Sequence, residues 1–405
     1  MRIGYYIHHT SLKAGGIFTY SIGILKLLIK SNEIEEIHLI ISSDQEKYFQ
    51  KIVDNPKIKF NVVDRKNLIV NTRFAVSYLL SNAVALYRNF FKRPNHLKLL
   101  SKLSVVLNPY SKYITRSQID LLHVPQQYSP IYNSDVPVII TMHDIQEYHY
   151  PEYFTTSQKL HRKINNINAI NESDHIIVSF DHIKNDLLKY FDVKESKISI
   201  CPPPFADNWF TSKQETKWEE LSKNYNLRKN YLLYPAATWE HKNHISLVKV
   251  LKQLRDKGND IELVCTGNKT KYFSKIESVI NELKLSPQIH FLGIVPEADL
   301  IGLYKNSSLV VIPTLYEAGS GPLYEAMRYR VPVICSIVTS LPETMGSDEF
   351  IFNPKNVNSL SKLITRILSD EKLKKENLLN SERRMVEMAK QDYVKNFYGV
   401  YEKII

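Results

Sequence analysis

Two glutamates, Glu317 and Glu325, are separated by seven residues, Gly319, Gly321 and Pro322 among them. A carboxylate accepts hydrogen bonds from sugar and ribose hydroxyls but is a poor partner for phosphate. A glycine-bearing loop that leads into a helix has the opposite preference. It offers unpaired backbone N–H groups and the positive end of a dipole, which together favour an anion. The preceding run Ser308-Leu-Val-Val-Ile-Pro313 is short, β-branched and closed by proline, so it reads as a buried strand. Pro322 suits the first turn of a helix, with Ser320 or Gly321 as its cap. The expected order is strand, loop, helix, with Glu317 at the start of the loop and Glu325 one turn into the helix. A ligand that is part polyol and part phosphate, such as a nucleotide sugar, satisfies both chemistries. Spacing alone fits a capped helix with two solvated acids equally well.

Other residues could serve the same chemistry. Lys242, in Glu240-His-Lys-Asn-His244, follows the strand-like run Tyr231–Pro235 and could neutralise charge on a diphosphate. Gly15 and Gly16 allow a backbone to approach a ligand closely. His143 and Asp144 end an apolar run and open a loop rich in aromatics, where Asp144 could orient the imidazole. His143, Asp144 and His149, or His241 and His244, could be assembled into metal ligands, but neither set has a standard metal spacing. A serine hydrolase would need a Gly-x-Ser-x-Gly elbow, which the sequence lacks.

These motifs occur in the order and rough spacing of a known family. The Glu-x7-Glu segment, Gly15-Gly16, His143-Asp144, Lys242, and Gly293 before Val295-Pro296 together resemble retaining glycosyltransferases of the GT-B fold, family 4 in particular. The resemblance implies an α/β protein with two doubly wound, Rossmann-like domains facing a cleft. By resemblance, Glu325 binds the ribose and Glu317 the transferred sugar. Lys242 and the amides of Gly319, Ser320, Gly321 and Leu323, flanked by Pro322, hold the diphosphate. Gly293, Ile294 and Val295 meet the base through their backbone. Gly16 and His241 complete the donor site, Gly15, Gly16 and His143 the acceptor site, and His143, Asp144, Lys242 and Glu317 the catalytic set. No metal, cofactor or protein nucleophile is implied, because in front-face substitution the acceptor oxygen attacks on the side of the leaving phosphate. Two departures from the family pattern stand out. His241 replaces an arginine that normally pairs with the lysine, and Ala318-Gly319-Ser320 replaces Gly-Phe-Gly. A nucleotide-sugar epimerase of the same fold and a non-catalytic scaffold are the competing classes. Relatives with similar loops around 143–154 make mannose from GDP-mannose the favoured donor.

The elements needed to position these residues are legible as alternating patterns. In the first half, short apolar runs at Arg2–Ile7, Ile37–Ile41, Ile58–Val63, Leu121–Val124, Val136–Met142, His175–Val178 and Ile198–Cys201 alternate with helical stretches, including Arg73–Phe91 and Lys159–Asn171. Cys201-Pro-Pro-Pro204 interrupts regular structure. A second alternation follows, with strands at Tyr231–Pro235, Ile261–Thr266, Ile289–Leu292, Leu309–Pro313 and Val333–Cys335. Strand–helix alternation predicts parallel sheets with ligands at the carboxyl ends of the strands. The expected division is 1–205 for an acceptor domain, 206–384 for a donor domain, and 385–405 for a helix returning to the first domain. The tail from Ser381 to Ile405 is helical in pattern, with Tyr393, Phe397 and Tyr401 on one face.

The chain has 405 residues, a net charge of +11 and a hydrophobic share of 43%, a composition typical of soluble globular proteins. Three scattered cysteines give no disulfide framework, and no secretory leader is expected, so a reducing, cytoplasmic setting follows. The charge is uneven: 65–119 holds ten Lys/Arg and no Asp or Glu, interleaved with aromatics. Such an excursion suits an anionic membrane surface and a lipid-linked glycan acceptor, on the inner face of the plasma membrane. The longest uncharged segment there, Phe74 to Tyr87, is shorter than the roughly 20 residues of a bilayer span. No nucleic-acid module accompanies it.

Overall fold

The computed structural model describes residues 1–8, 16–93, 95–204 and 214–405. They form two compact units, one of Met1–Pro204 with Asp392–Ile405 and the other of Phe205–Gln391.

The first unit is built on seven strands: β1 (Arg2–Tyr6), β2 (Glu36–Ser42), β3 (Ile58–Val63), β4 (Leu121–Val124), β5 (Val138–Met142), β6 (His175–Val178) and β7 (Ile198–Ile200). They hydrogen-bond in the order β3-β2-β1-β4-β5-β6-β7, all parallel, with Ile3 opposite both Ile37 and Leu121. Near-continuous Val, Ile and Leu in β4, β5 and β6 follows from burial on both faces, as expected for a parallel sheet covered by helices. Its principal helices are α1 (Gly16–Ile29), α2 (Leu68–Phe91), α3 (Lys98–Leu107) and α4 (Thr156–Glu172).

Helix α2 exceeds the sequence expectation. Asn67 caps it by accepting from the N–H groups of Ile69 and Val70, so it starts five residues before Arg73 and runs for 24 residues. That is about 36 Å, and by length and composition it is apolar enough to cross a bilayer. Polar contacts nonetheless tie it to its own unit. Ser77 Oγ donates to the Ser104 carbonyl at 2.7 Å, and Asn168 donates to Asn82 Oδ1 at 2.7 Å. Arg88 pairs with the enclosed Glu172 at 2.5 Å. A helix that crossed a membrane would have to surrender these bonds, so α2 lies along the unit with α3 and α4 packed beside it.

The second unit carries β8 (Tyr231–Pro235), β9 (Glu262–Thr266), β10 (Ile289–Phe291), β11 (Leu309–Ile312), β12 (Val333–Ser336) and β13 (Ile351–Phe352). Their order is β10-β9-β8-β11-β12-β13, again parallel throughout. The two-residue β13 is too short to leave a periodic signal and was not expected. Helices α5 (His244–Asp256), α6 (Glu297–Asn306), α7 (Gly321–Arg328) and α8 (Glu371–Ala389) flank this sheet.

The tail is not one helix. It breaks after Ala389, and α9 (Tyr393–Glu402) restarts where the Asp392 side chain caps the Lys395 N–H. Tyr393, Phe397 and Tyr401 are buried in the first unit, as their spacing on one face requires. The Tyr401 hydroxyl is hydrogen-bonded to His123 Nδ1 at 2.8 Å.

Candidate active site

In the second unit the candidate residues collect beyond the carboxyl ends of β8, β10 and β11. Lys242 ends a single turn at Glu240–Lys242. The backbone carbonyl of His241 accepts from the Leu315 N–H at 2.7 Å and from Thr314 Oγ1 at 3.0 Å, stitching this turn to the loop after β11. Lys242 Nζ therefore reaches Glu317 Oε2 at 2.6 Å, with both side chains mostly enclosed. Sequence reasoning sent the two to different parts of a ligand; in the structure they pair with each other.

Glu317 is held from a direction the sequence did not reveal. Thr339 Oγ1 accepts from the Glu317 N–H at 3.1 Å and donates to the Glu317 carbonyl at 2.6 Å, and Ser340 Oγ donates to that same carbonyl. Thr339 has φ of 49°, in the left-handed region. A β-branched residue held there costs of order 1–3 kcal/mol, which the paired bonds to Glu317 help to offset. No local pattern announces it, because the partners lie on loops after different strands.

The loop then enters α7 as expected. Ser320 is the N-cap, its side chain accepting from the Leu323 N–H, and Pro322 lies in the first turn. The Leu323 amide, expected to serve a diphosphate, is instead used by this cap, and Pro322 has no N–H. The N–H groups of Gly319 and Ser320 carry no bond to a protein acceptor among the described residues, and that of Gly321, first in the helix, has no intrahelical partner. A Cβ on Gly321 would stand 3.4 Å from Glu325 Oε1, so the glycine lets that carboxyl lie against the helix start.

Glu325 accepts from the Tyr304 hydroxyl of α6 at 2.5 Å, rather than being solvated. Burial pushes its carboxyl up to about 7, against the lowering effect of that hydrogen bond. His241 cannot replace the arginine it stands for as a fixed charge. Burial, with Lys242 beside it, lowers its imidazole to about 3, so it is neutral near pH 7. Gly293 follows β10 with φ of 73°, and its carbonyl accepts from the Gly267 N–H at 2.7 Å. Beside it Ile294 is 74% exposed, while Val295 is partly buried.

The remaining candidates belong to the first unit. His143 is buried, edge-on to Tyr20 with ring centroids 4.8 Å apart. Its Nε2 faces the Pro125 carbonyl at 3.1 Å. A carbonyl only accepts, so Nε2 carries the proton, and desolvation holds the imidazole neutral by lowering its pKa. Asp144 does not orient this ring through a hydrogen bond. Its carboxylate accepts from Arg162 at 2.6 Å, and Arg162 also binds Glu147 at 2.7 Å, because a guanidinium fork offers a carboxylate a stronger, charged partner. His149 is paired with Asp186 at 2.7 Å. Among the described residues no three His, Cys, Asp or Glu are grouped to hold a metal ion. Gly16 opens α1 with open space at its Cβ position, and Gly15 lies outside the described residues.

Two family models match the chain: "Glycosyl transferases group 1" over residues 216–392 and "Glycosyltransferase Family 4" over residues 74–207. Together they span most of it. The chain belongs to the family 4 glycosyltransferases of the GT-B fold. Among curated relatives, the O-antigen chain mannosyltransferase RfbU of Salmonella typhimurium is 26% identical over 87% of each chain. The O-antigen chain mannosyltransferase B of Escherichia coli is 24% identical over 88% of this chain and 87% of its own. Among solved structures, sucrose-phosphate synthase from Thermosynechococcus elongatus superposes with a TM-score of 0.69 at 16% identity, covering 100% of this chain and 98% of that one. Anabaena HepE in complex with UDP and glucose gives 0.66 at 14% identity, covering 100% and 99%. At these identities the structural likeness concerns the fold of this glycosyltransferase.

Proposed function

We propose that this glycosyltransferase moves mannose from GDP-mannose to a hydroxyl of a lipid-linked glycan during O-antigen or related surface-polysaccharide assembly. It does so with retention of configuration, without a metal or cofactor, at the inner face of the plasma membrane. The observation that carries the chemical part is the convergence of Lys242 Nζ on Glu317, 2.6 Å apart, beside the glycine-bearing start of α7. A cation, a carboxylate and unpaired amides in one place suit a sugar diphosphate. The choice of mannose is supported by the two O-antigen chain mannosyltransferases that match over most of their length.

In this reading Lys242 and the N–H groups of Gly319, Ser320 and Gly321 stabilise the departing β-phosphate. The acceptor hydroxyl attacks C1 on the face from which the phosphate leaves, and its proton passes to a phosphate oxygen. Glu317 holds the sugar hydroxyls and Glu325 those of the ribose, while His143 presents its unprotonated Nδ1 to a hydroxyl. The test is turnover of GDP-mannose, UDP-glucose and UDP-galactose with a lipid-linked acceptor extract, reading the anomeric configuration of the product by NMR. An α-mannoside formed in excess EDTA is expected. An inverted product, or loss of activity restored by a divalent ion, would overturn the mechanism. Interconversion of nucleotide sugars without acceptor would assign an epimerase instead.

A further inference from the structure

The first unit contains a cavity of about 260 Å³ at the carboxyl ends of β1, β2 and β3. It shares no residue with the donor site of the second unit, and three of its lining residues, Arg65, Asn71 and Tyr110, come from the basic excursion expected from sequence to meet the acceptor. Its walls combine two kinds of surface. Tyr6 and Tyr110, both buried, meet edge-on with centroids 5.4 Å apart and supply an aromatic wall. Asp44, Gln45, Asn71 and Arg65 supply polar groups.

Several of these polar groups are held by the fold and so pre-aimed. Gln45 is fixed at both ends, its Nε2 donating to the His8 carbonyl at 2.7 Å and its Oε1 accepting from the Ser42 N–H at 2.9 Å. Arg65 donates through Nε and Nη2 to Asn71 Oδ1 at 3.2 and 2.9 Å, and its guanidinium lies 3.9 Å over the ring of Phe74. Arg65 Nη1 also donates to the Tyr110 hydroxyl at 3.5 Å and the Ser42 hydroxyl donates to Asp44 Oδ1 at 2.5 Å, which leaves the remaining guanidinium N–H groups and the Asn71 amide N–H groups as donors and Asp44 Oδ2 as an acceptor.

The charge balance identifies the ligand chemistry. Asp44 and Arg65, one charge of each sign, line the same space, so the pair supplies no net positive charge to draw a phosphate. A neutral polyol uses both, because each hydroxyl donates to one group and accepts from another. The volume suits a single hexose. We propose that this cavity is a monosaccharide subsite that holds one neutral sugar of the acceptor glycan. Arg65 and Asn71 flank Leu68 and Ile69, whose side chains are exposed at the start of α2, so the sugar would sit next to the apolar surface. The proposal rests on the glycosyltransferase reading above and adds to it the residues that select the acceptor.

Saturation-transfer NMR on the full chain tests it, with the methyl α-glycosides of mannose, rhamnose, galactose and N-acetylglucosamine as probes. At least one glycoside should receive saturation. Asp44→Ala and Asn71→Ala, both at exposed positions, should each abolish it. Inorganic phosphate at matched ionic strength should leave it unchanged. The thermal shift of the same variants with GDP should equal that of the parent, which shows that they are folded and keeps this question separate from donor binding. The subsite is refuted if no glycoside is saturated, if saturation survives both variants, or if phosphate removes it. A loss of GDP response in the parent protein would instead refute the donor reading.

Discussion

Glu325 links protonation to binding. Its carboxyl is raised from an ordinary 4.5 to about 7 because folding removes it from water. The native state therefore holds this proton more tightly than the unfolded chain. The stability this contributes is complete below 4.5 and is lost as pH rises through about 7. Nucleotide binding should run the other way, since the ionised form can accept from both ribose hydroxyls. GDP affinity is expected to rise between about pH 6 and pH 8, beyond the change due to the phosphate itself. Glu325→Gln should remove that excess, and titration calorimetry across the range would show it; an unchanged profile would dissociate Glu325 from the ribose. Lys242 makes a second test at this scale. Lys242→Ala should lower turnover by about 100-fold, the usual cost of removing one group that stabilises developing negative charge. Donor affinity should fall less, because that charge grows in the transition state. Turnover that persisted would move the role to Arg328 at the end of α7 or Lys269, whose Nζ sits 4.5 Å over Phe273.

Between elements, the strand-to-helix order that positions these groups was readable because it is local. Alternating apolar runs and the Ser320–Pro322 start of α7 are written in consecutive residues. What escaped was set by pairings across loops: Thr339 on Glu317, Tyr304 on Glu325, and Arg162 drawing Asp144 away from His143. Helix α3 escaped for another reason. Its exposed Leu99, Leu103 and Val106 and buried Ser101 and Ser104 reverse the usual pattern of an amphipathic helix. The return of α9 to the first unit rests on a fully buried polar contact. Tyr401 meets His123, whose imidazole is lowered to about 3 by burial and whose Nε2 is bonded to Thr141 at 3.2 Å. Tyr401→Phe should cost about 1–3 kcal/mol, since it leaves a buried histidine nitrogen without its partner. Urea denaturation with an unchanged m-value would measure it, and a cost near zero would mean that water replaces the hydroxyl.

At the scale of the molecule, the acid-free excursion and the exposed apolar residues coincide. Leu79, Phe90, Phe91, Leu99, Leu103 and Val106 all project from α2, α3 or the same stretch of chain, where Lys66, Arg93, Lys98 and Lys102 are also exposed. Not every basic residue there is available to lipid. Arg88 is committed to the enclosed Glu172, and Lys92 pairs with Asp192. Replacing Arg88 would damage the unit rather than test the surface, so the informative variant is Arg93→Gln with Lys98→Gln and Lys102→Gln. If this face rests on the membrane, the parent protein should sediment with vesicles containing phosphatidylglycerol and not with purely zwitterionic ones. Each exposed basic residue contributes on the order of 1 kcal/mol near an anionic surface, so the triple variant should lose most of the binding. Rising salt should weaken the parent in the same direction, because screening acts within about 8 Å at physiological ionic strength. Leu79, Phe90 and Leu99 add an apolar part that salt does not screen, and replacing them with serine should remove the residue of binding that survives high salt. GDP binding should be the same in every variant, since the donor residues belong to the other unit. Sedimentation indifferent to lipid charge, or absent altogether, would show that this apolar face meets something other than an anionic bilayer.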